Sequence, residues 1–129
     1  MPILTAQFDP VRAASGSWQQ HMKWAIRDTR ALCQLLELPE NADIGAVATR
    51  QFPVFVPLPF LHRIQRKNIG DPLLRQVLPI SAEDKTLHGF SIDPLEESAA
   101  TLTPGLLQKY KSRVLLVTTG ACAVHCRYC

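Results

Sequence analysis

A near-continuous aliphatic and β-branched run, Arg113-Val114-Leu115-Leu116-Val117-Thr118-Thr119, leads through Gly120 into three closely spaced cysteines, Cys122, Cys126 and Cys129. Apolar runs without alternation suit a strand buried on both faces of a parallel sheet, where helices cover each side. Loops leaving the carboxyl end of such a strand are where α/β folds assemble active sites. The fold class expected is therefore α/β, and the cysteine loop is the expected site.

Thiolates are the preferred ligands of iron–sulfur clusters, and the Cys-x3-Cys-x2-Cys spacing lets one short loop reach three corners of a cubane. The fourth iron is then open to a small molecule, which makes such a cluster a reagent as well as an electron carrier. The competing reading is zinc, with His125 as a fourth ligand, although structural zinc sites favour paired Cys-x2-Cys units. Without a metal, His125 reads as a loop residue facing solvent, and beside a cluster it reads as part of the outer shell. Cys33, inside a helical segment, reads as a small buried thiol. Four cysteines in a chain with no export signal point to metal or redox chemistry rather than to a disulfide framework.

The chain has 129 residues, 47% apolar and 19% charged, an ordinary balance for a folded domain with a modest core. Its net charge of +3 comes from scattered basic residues rather than a Lys/Arg tract, so no nucleic-acid surface is expected. Met1-Pro2-Ile3-Leu4-Thr5-Ala6 lacks a basic leader and an apolar run, and no stretch nears the roughly 20 apolar residues of a membrane helix. A cytoplasmic protein with no membrane partner is expected.

Ser17 and Gln20 form a capping-box pattern that opens a segment with Trp18, Met22, Ala25, Ile26, Leu32, Leu35 and Leu36 near helical spacing. This predicts a helix from about Ser17 to Glu37, stopped by Pro39, and a short helix from an Asn41 cap through Ala48. Three prolines between Phe52 and Phe60 predict extended chain, followed by a short helix over Leu58–Arg66 with a basic outer face. Asp71 reads as the cap of another helix, with Pro72 at its first position, Arg75 a charge on its face and Pro79 at its end. Ser81–Asp84 predicts a turn or one helical turn, and residues 90–108 read as mostly irregular, with Pro104-Gly105 suited to a type II turn. Asp93, Glu96 and Glu97 read as a solvated acidic stretch.

The ending Cys122-Ala-Val-His-Cys126-Arg-Tyr-Cys129 resembles the signature of the radical S-adenosylmethionine superfamily, and five blocks narrow the likeness. They are Val56-Pro57 with the basic Leu61-His-Arg-Ile64, Asp71-Pro-Leu-Leu-Arg-Gln-Val-Leu-Pro79, Gly89-Phe-Ser-Ile-Asp-Pro-Leu-Glu-Glu97, Pro104-Gly-Leu-Leu-Gln-Lys-Tyr110, and the run from Arg113. Over residues 50–129 the chain is similar to lysine 2,3-aminomutases. The short N-terminal region and the Gly89–Glu97 block resemble the branch that makes β-lysine for elongation factor P, while Gln108 departs from the His common at that place in the branch.

The resemblance implies an N-terminal helical cap over residues 1–110 and, over 111–129, the first strand and cluster loop of a radical S-adenosylmethionine (β/α) partial barrel. Such a barrel takes about 200 or more residues, so the rest of it, with the lysine that would bind pyridoxal phosphate, is missing from these 129 residues. The piece alone is expected to be inactive. For the intact protein the resemblance implies an isomerase that converts L-lysine to (R)-β-lysine. Its cofactors would be a [4Fe-4S] cluster, S-adenosyl-L-methionine and pyridoxal 5′-phosphate. A 5′-deoxyadenosyl radical would act on lysine held as an external aldimine, and the product would reach elongation factor P through a ligase. Cys122, Cys126 and Cys129 match the cluster ligands. Lys109 and Tyr110 match a basic-Tyr pair beside pyridoxal phosphate, and Tyr128 matches an aromatic residue near the adenine. A homo-oligomer is also implied. The alternative of another class is a small iron–sulfur or zinc protein complete at 129 residues.

Overall fold

The computed structural model describes residues 15–91 and 93–128, so the readings of the first six residues and of Cys129 fall outside it. The chain divides into two compact units, Met1–Lys85 with Ala123–Cys129, and Thr86–Cys122. The first is helical and the second carries a small sheet, giving a mixed helix-and-sheet chain.

In the first unit, α1 (Trp18–Lys23) opens with the expected capping box, in which Ser17 and Gln20 satisfy each other's backbone donors. The single long helix predicted from Ser17 to Glu37 is instead two. Ile26 leaves the helical path to exchange both backbone hydrogen bonds with Val56, at 2.8 and 2.9 Å. Asp28 then caps a new helix, α2 (Thr29–Leu35), by accepting from the Ala31 amide at 2.8 Å. A helical repeat cannot reveal this break, because the partner that causes it is distant in sequence.

Helix α2 ends before Pro39, at a left-handed Glu37 (φ 53). The Glu37 and Leu38 amides donate back to the Gln34 and Cys33 carbonyls, the double closure of a Schellman motif. A non-glycine residue there is disfavoured sterically. Here the Glu37 carboxylate meets Lys67 and Arg66, each at 3.1 Å, which also holds its pKa below the usual value, Lys67 contributing most.

Helix α3 (Ala46–Gln51) starts later than an Asn41 cap would place it, because its cap comes from elsewhere. The Asp84 carboxylate accepts from the Val47 and Ala48 amides at 3.3 and 2.7 Å. Gly45 precedes the helix because a Cβ there would lie 2.4 Å from the Ile80 carbonyl oxygen. The prolines of Phe52–Phe60 leave Val54–Val56 extended as expected, but helix α4 occupies only Leu58–Leu61.

Asp71 takes the capping role read for it, although Pro72 lies in a turn and helix α5 runs Leu74–Val77. Its buried carboxylate accepts from the Leu73 and Leu74 amides at 2.8 and 2.9 Å and from the Gln65 amide at 3.1 Å. Ser81–Asp84 forms a single 3₁₀ turn. The core of this unit gathers Leu32, Leu36, Val54, Val56, Leu61, Ile64, Leu74, Val77 and Leu78, with Val124 packed at its margin.

The second unit holds helix α6 (Glu97–Ala100) and an antiparallel meander of β1 (Thr101–Thr103), β2 (Leu106–Tyr110) and β3 (Arg113–Leu116). Residues 90–108 are thus more regular than expected. Gly105 takes φ 81 in the β1–β2 turn, the left-handed conformation that the Pro104-Gly105 pair anticipates. The run beginning at Arg113 differs from expectation in two ways. It pairs antiparallel with β2, and it is exposed, with Val114 and Leu115 at 56% and Leu116 at 65%. Three short strands form a single layer, which leaves the aliphatic side chains of β3 more than half exposed among the described residues.

The acidic stretch turns out to carry a cap. The Asp93 carboxylate accepts from the Glu97 and Ser98 amides at 2.8 and 3.0 Å. Hydrogen bonds from Ser98, first from its side chain and then its amide, hold the Asp93 pKa below the usual value, with Lys109 adding a smaller attraction. A lowered carboxyl pKa contributes stability above the unfolded value, and that contribution is lost as pH falls through the folded one. The cap on α6 is therefore expected to persist through the ordinary Asp titration range and to release only in stronger acid. NMR shifts of the Glu97 and Ser98 amides should follow that late release; midpoints at the ordinary Asp value would contradict it.

Candidate metal centre

The cysteine loop is built from two different surroundings. Cys122 ends the second unit and is exposed. Ala123 onward belongs to the first unit, where Cys126 is half-buried. Cys129 lies outside the described residues, and among those described no group of three or more His, Cys, Asp or Glu side chains gathers to hold a metal.

Cys126 sits between two residues fastened to the helical unit. On one side, the His125 amide donates to the Phe55 carbonyl at 3.1 Å and its Nδ1 lies 2.9 Å from the Pro53 carbonyl. A carbonyl oxygen only accepts, so Nδ1 carries the proton. The imidazole stacks on Phe52, centroids 4.9 Å apart, and tilts against Phe55 at 5.2 Å. His125 is thus neither a loose solvent-facing residue nor able to bind zinc through Nδ1 while this contact lasts.

On the other side, the Arg127 amide donates to the Gln76 carbonyl at 2.6 Å. The Arg127 side chain is only 9% exposed and its guanidinium is shared among three acceptors. Nε and Nη2 meet the Glu83 carboxylate, Nη1 donates to the Phe52 carbonyl, and Nη2 also reaches the Ala48 carbonyl at 3.3 Å. The Phe52 ring lies 5.2 Å from the guanidinium carbon. Burial of an ion pair is costly unless its remaining donors are satisfied, and here they face carbonyls.

Tyr128 is largely exposed, its hydroxyl donating to Gln76 Oε1 at 3.4 Å. Lys109 and Tyr110 lie next to each other on β2, where the register with β3 shifts between Leu107 and Tyr110. Lys109 Nζ donates to the Leu95 carbonyl, and the Tyr110 ring packs under the Arg113 guanidinium at 4.2 Å. Cys33 is half-buried in α2, and burial, followed by the nearby Asp28 charge, pushes its thiol pKa up.

Sequence reading missed Arg127 and Glu83 as partners. An arginine between two cysteines carries no periodic or capping signal, and its acceptors on Ala48, Phe52 and Glu83 become neighbours only once α3 and the 3₁₀ turn pack together.

No family model matches the chain. It is similar to L-lysine 2,3-aminomutase of Haemophilus influenzae, 41% identical over 122 residues, which is 94% of this chain and 36% of that protein. It is likewise similar to L-lysine 2,3-aminomutase of Escherichia coli K12, 41% identical over 114 residues, or 87% of this chain and 33% of that protein. The Bacillus subtilis L-lysine 2,3-aminomutase is 29% identical over 114 residues. The chain spans about a third of the length of the first two relatives. At this identity across nearly all of its residues, the chain belongs to the lysine 2,3-aminomutase family.

Proposed function

We propose that the intact protein is a cytoplasmic L-lysine 2,3-aminomutase, an isomerase that turns L-lysine into (R)-β-lysine for attachment to elongation factor P by a ligase. The observation that carries the reading is 41% identity over 94% of the chain to a protein named L-lysine 2,3-aminomutase, in a chain that also holds the Cys122, Cys126 and Cys129 triad. The donor set fits a cluster better than a structural zinc: three closely spaced thiolates in one loop are soft ligands that leave one iron free, whereas structural zinc sites favour paired Cys-x2-Cys units. Cys122, Cys126 and Cys129 would hold a [4Fe-4S] cluster. When bound, this cluster with S-adenosylmethionine supplies a 5′-deoxyadenosyl radical, and pyridoxal phosphate supplies the π-system across which the amino nitrogen of lysine can move.

The chain's own residues bind and orient. Cys126 is held between the anchored His125 and Arg127, which limits how far its thiolate can wander. Lys109 would give its ammonium to the cofactor phosphate in exchange for its present carbonyl partner, and Tyr110 would offer its hydroxyl or ring. Tyr128, with its ring exposed, would pack against adenine. The exposed aliphatic residues of β3 suit a strand that further chain covers, in line with a partial (β/α) barrel completed outside these residues, and the family likeness favours a homo-oligomer.

The test uses the protein from the complete reading frame, reconstituted anaerobically with iron and sulfide. Supplied with reductant, S-adenosylmethionine, pyridoxal phosphate and L-lysine, it is expected to form β-lysine that a ligase can load onto elongation factor P. Stoichiometric zinc with no iron uptake, or iron uptake without any β-lysine, would defeat the reading.

A further inference from the structure

We propose that Arg127 is the positioning residue of the cysteine loop, holding the Cys126 side of the triad on the helical unit before any metal is bound. The assignment of Cys126 as a ligand rests on the function proposed above; the anchoring itself rests on the geometry. Three observations carry it. The guanidinium is buried, though it belongs to a loop residue, and it engages Glu83, Phe52 and Ala48 together. The amides on both sides of Cys126 are committed to the first unit, His125 to Phe55 and Arg127 to Gln76. The aromatic ring of Phe52 touches both flanking side chains, stacking on His125 and lying near the Arg127 guanidinium, so the two anchors share one support.

A planar fork with fixed donor directions can serve a carboxylate and two carbonyls together, which a lysine ammonium cannot do in the same geometry. Residues that orient metal ligands without touching the metal commonly change metal affinity about 10- to 100-fold when removed. Arg127 stands in that relation to Cys126, one residue away and fastened to the scaffold at both its backbone and its side chain.

The experiment compares the full chain with Arg127→Ala, Arg127→Lys and Glu83→Gln, using Leu32→Ala as a core variant whose side chain is none of the Arg127 hydrogen-bond partners. In the metal-free chain, amide hydrogen exchange at positions 125 and 127 is expected to be about tenfold faster in Arg127→Ala. Arg127→Lys and Glu83→Gln should accelerate it by less. After reconstitution with iron and sulfide, iron loss to a chelator is expected to be about 10- to 100-fold faster in Arg127→Ala, with the same ranking among variants. Unchanged exchange at both amides overturns the proposal. So does Leu32→Ala accelerating exchange and iron loss as much as Arg127→Ala at equal loss of stability, because the effect would then be general unfolding. If the parent chain takes up no iron, the cluster reading fails by itself, and the exchange comparison still decides whether Arg127 holds the loop.

Discussion

Asp71→Ala is expected to lower the stability of the helical unit by about 2–4 kcal/mol, a fall in melting temperature of about 10–20 °C for a unit of this size. The carboxylate is 7% exposed and accepts three backbone amides, two at the start of α5 and one from Gln65. Loss of a helix cap alone costs about 0.5–2 kcal/mol. Here the truncation also strands the Gln65 amide and unties the segment before the turn from the helix after it, and each buried donor left without a partner costs about 1–3 kcal/mol. Leu74 and Val77, fully buried in the core, are oriented by this helix, so the damage reaches the packing. Asp71→Asn keeps one acceptor oxygen in place and should lose less. Urea titration of the three proteins gives the answer, and an Asp71→Ala chain as stable as the parent would contradict the account of the cap.

Cys126→Ala is expected to abolish iron binding, whereas Cys33→Ala is expected to leave it unchanged. Two thiolates cannot hold a cubane that three would share, and the described residues provide no other cluster of acidic, His or Cys side chains to replace the lost ligand. Cys33 is a poor substitute on physical grounds. Burial first, and the Asp28 charge second, raise its pKa, so the thiol stays protonated where a ligand must be a thiolate. It also packs against the core from within α2. Iron per chain and the charge-transfer absorption after anaerobic reconstitution measure both variants. Full iron content in Cys126→Ala, or its loss in Cys33→Ala, would remove the triad from the argument.

The elements that could be read from sequence are those whose cause lies within a few residues. Ser17 and Gln20 satisfy each other across one turn, Asp71 accepts from Leu73 and Leu74, and Gly105 supplies the positive φ its turn requires. The cysteine spacing is equally local, because it is a property of one loop, and the five blocks around it were enough to identify the family. Other features depend on partners far along the chain. Val56 breaks the long helix at Ile26, Asp84 caps α3 from outside it, and Glu83 draws Arg127 into a buried site beside Cys126. Apolar periodicity reports how a segment would bury itself, not which distant carbonyl or carboxylate will claim its backbone. The run from Arg113 shows the same limit: its residues specify an extended, apolar strand, but the direction of its neighbour and the cover on its faces depend on which chain packs beside it. Local hydrogen bonds and cysteine spacing were therefore settled by residue order, while helix breaks, borrowed caps and the anchoring of the residues beside Cys126 were settled by packing, since only packing brings their partners within bonding distance.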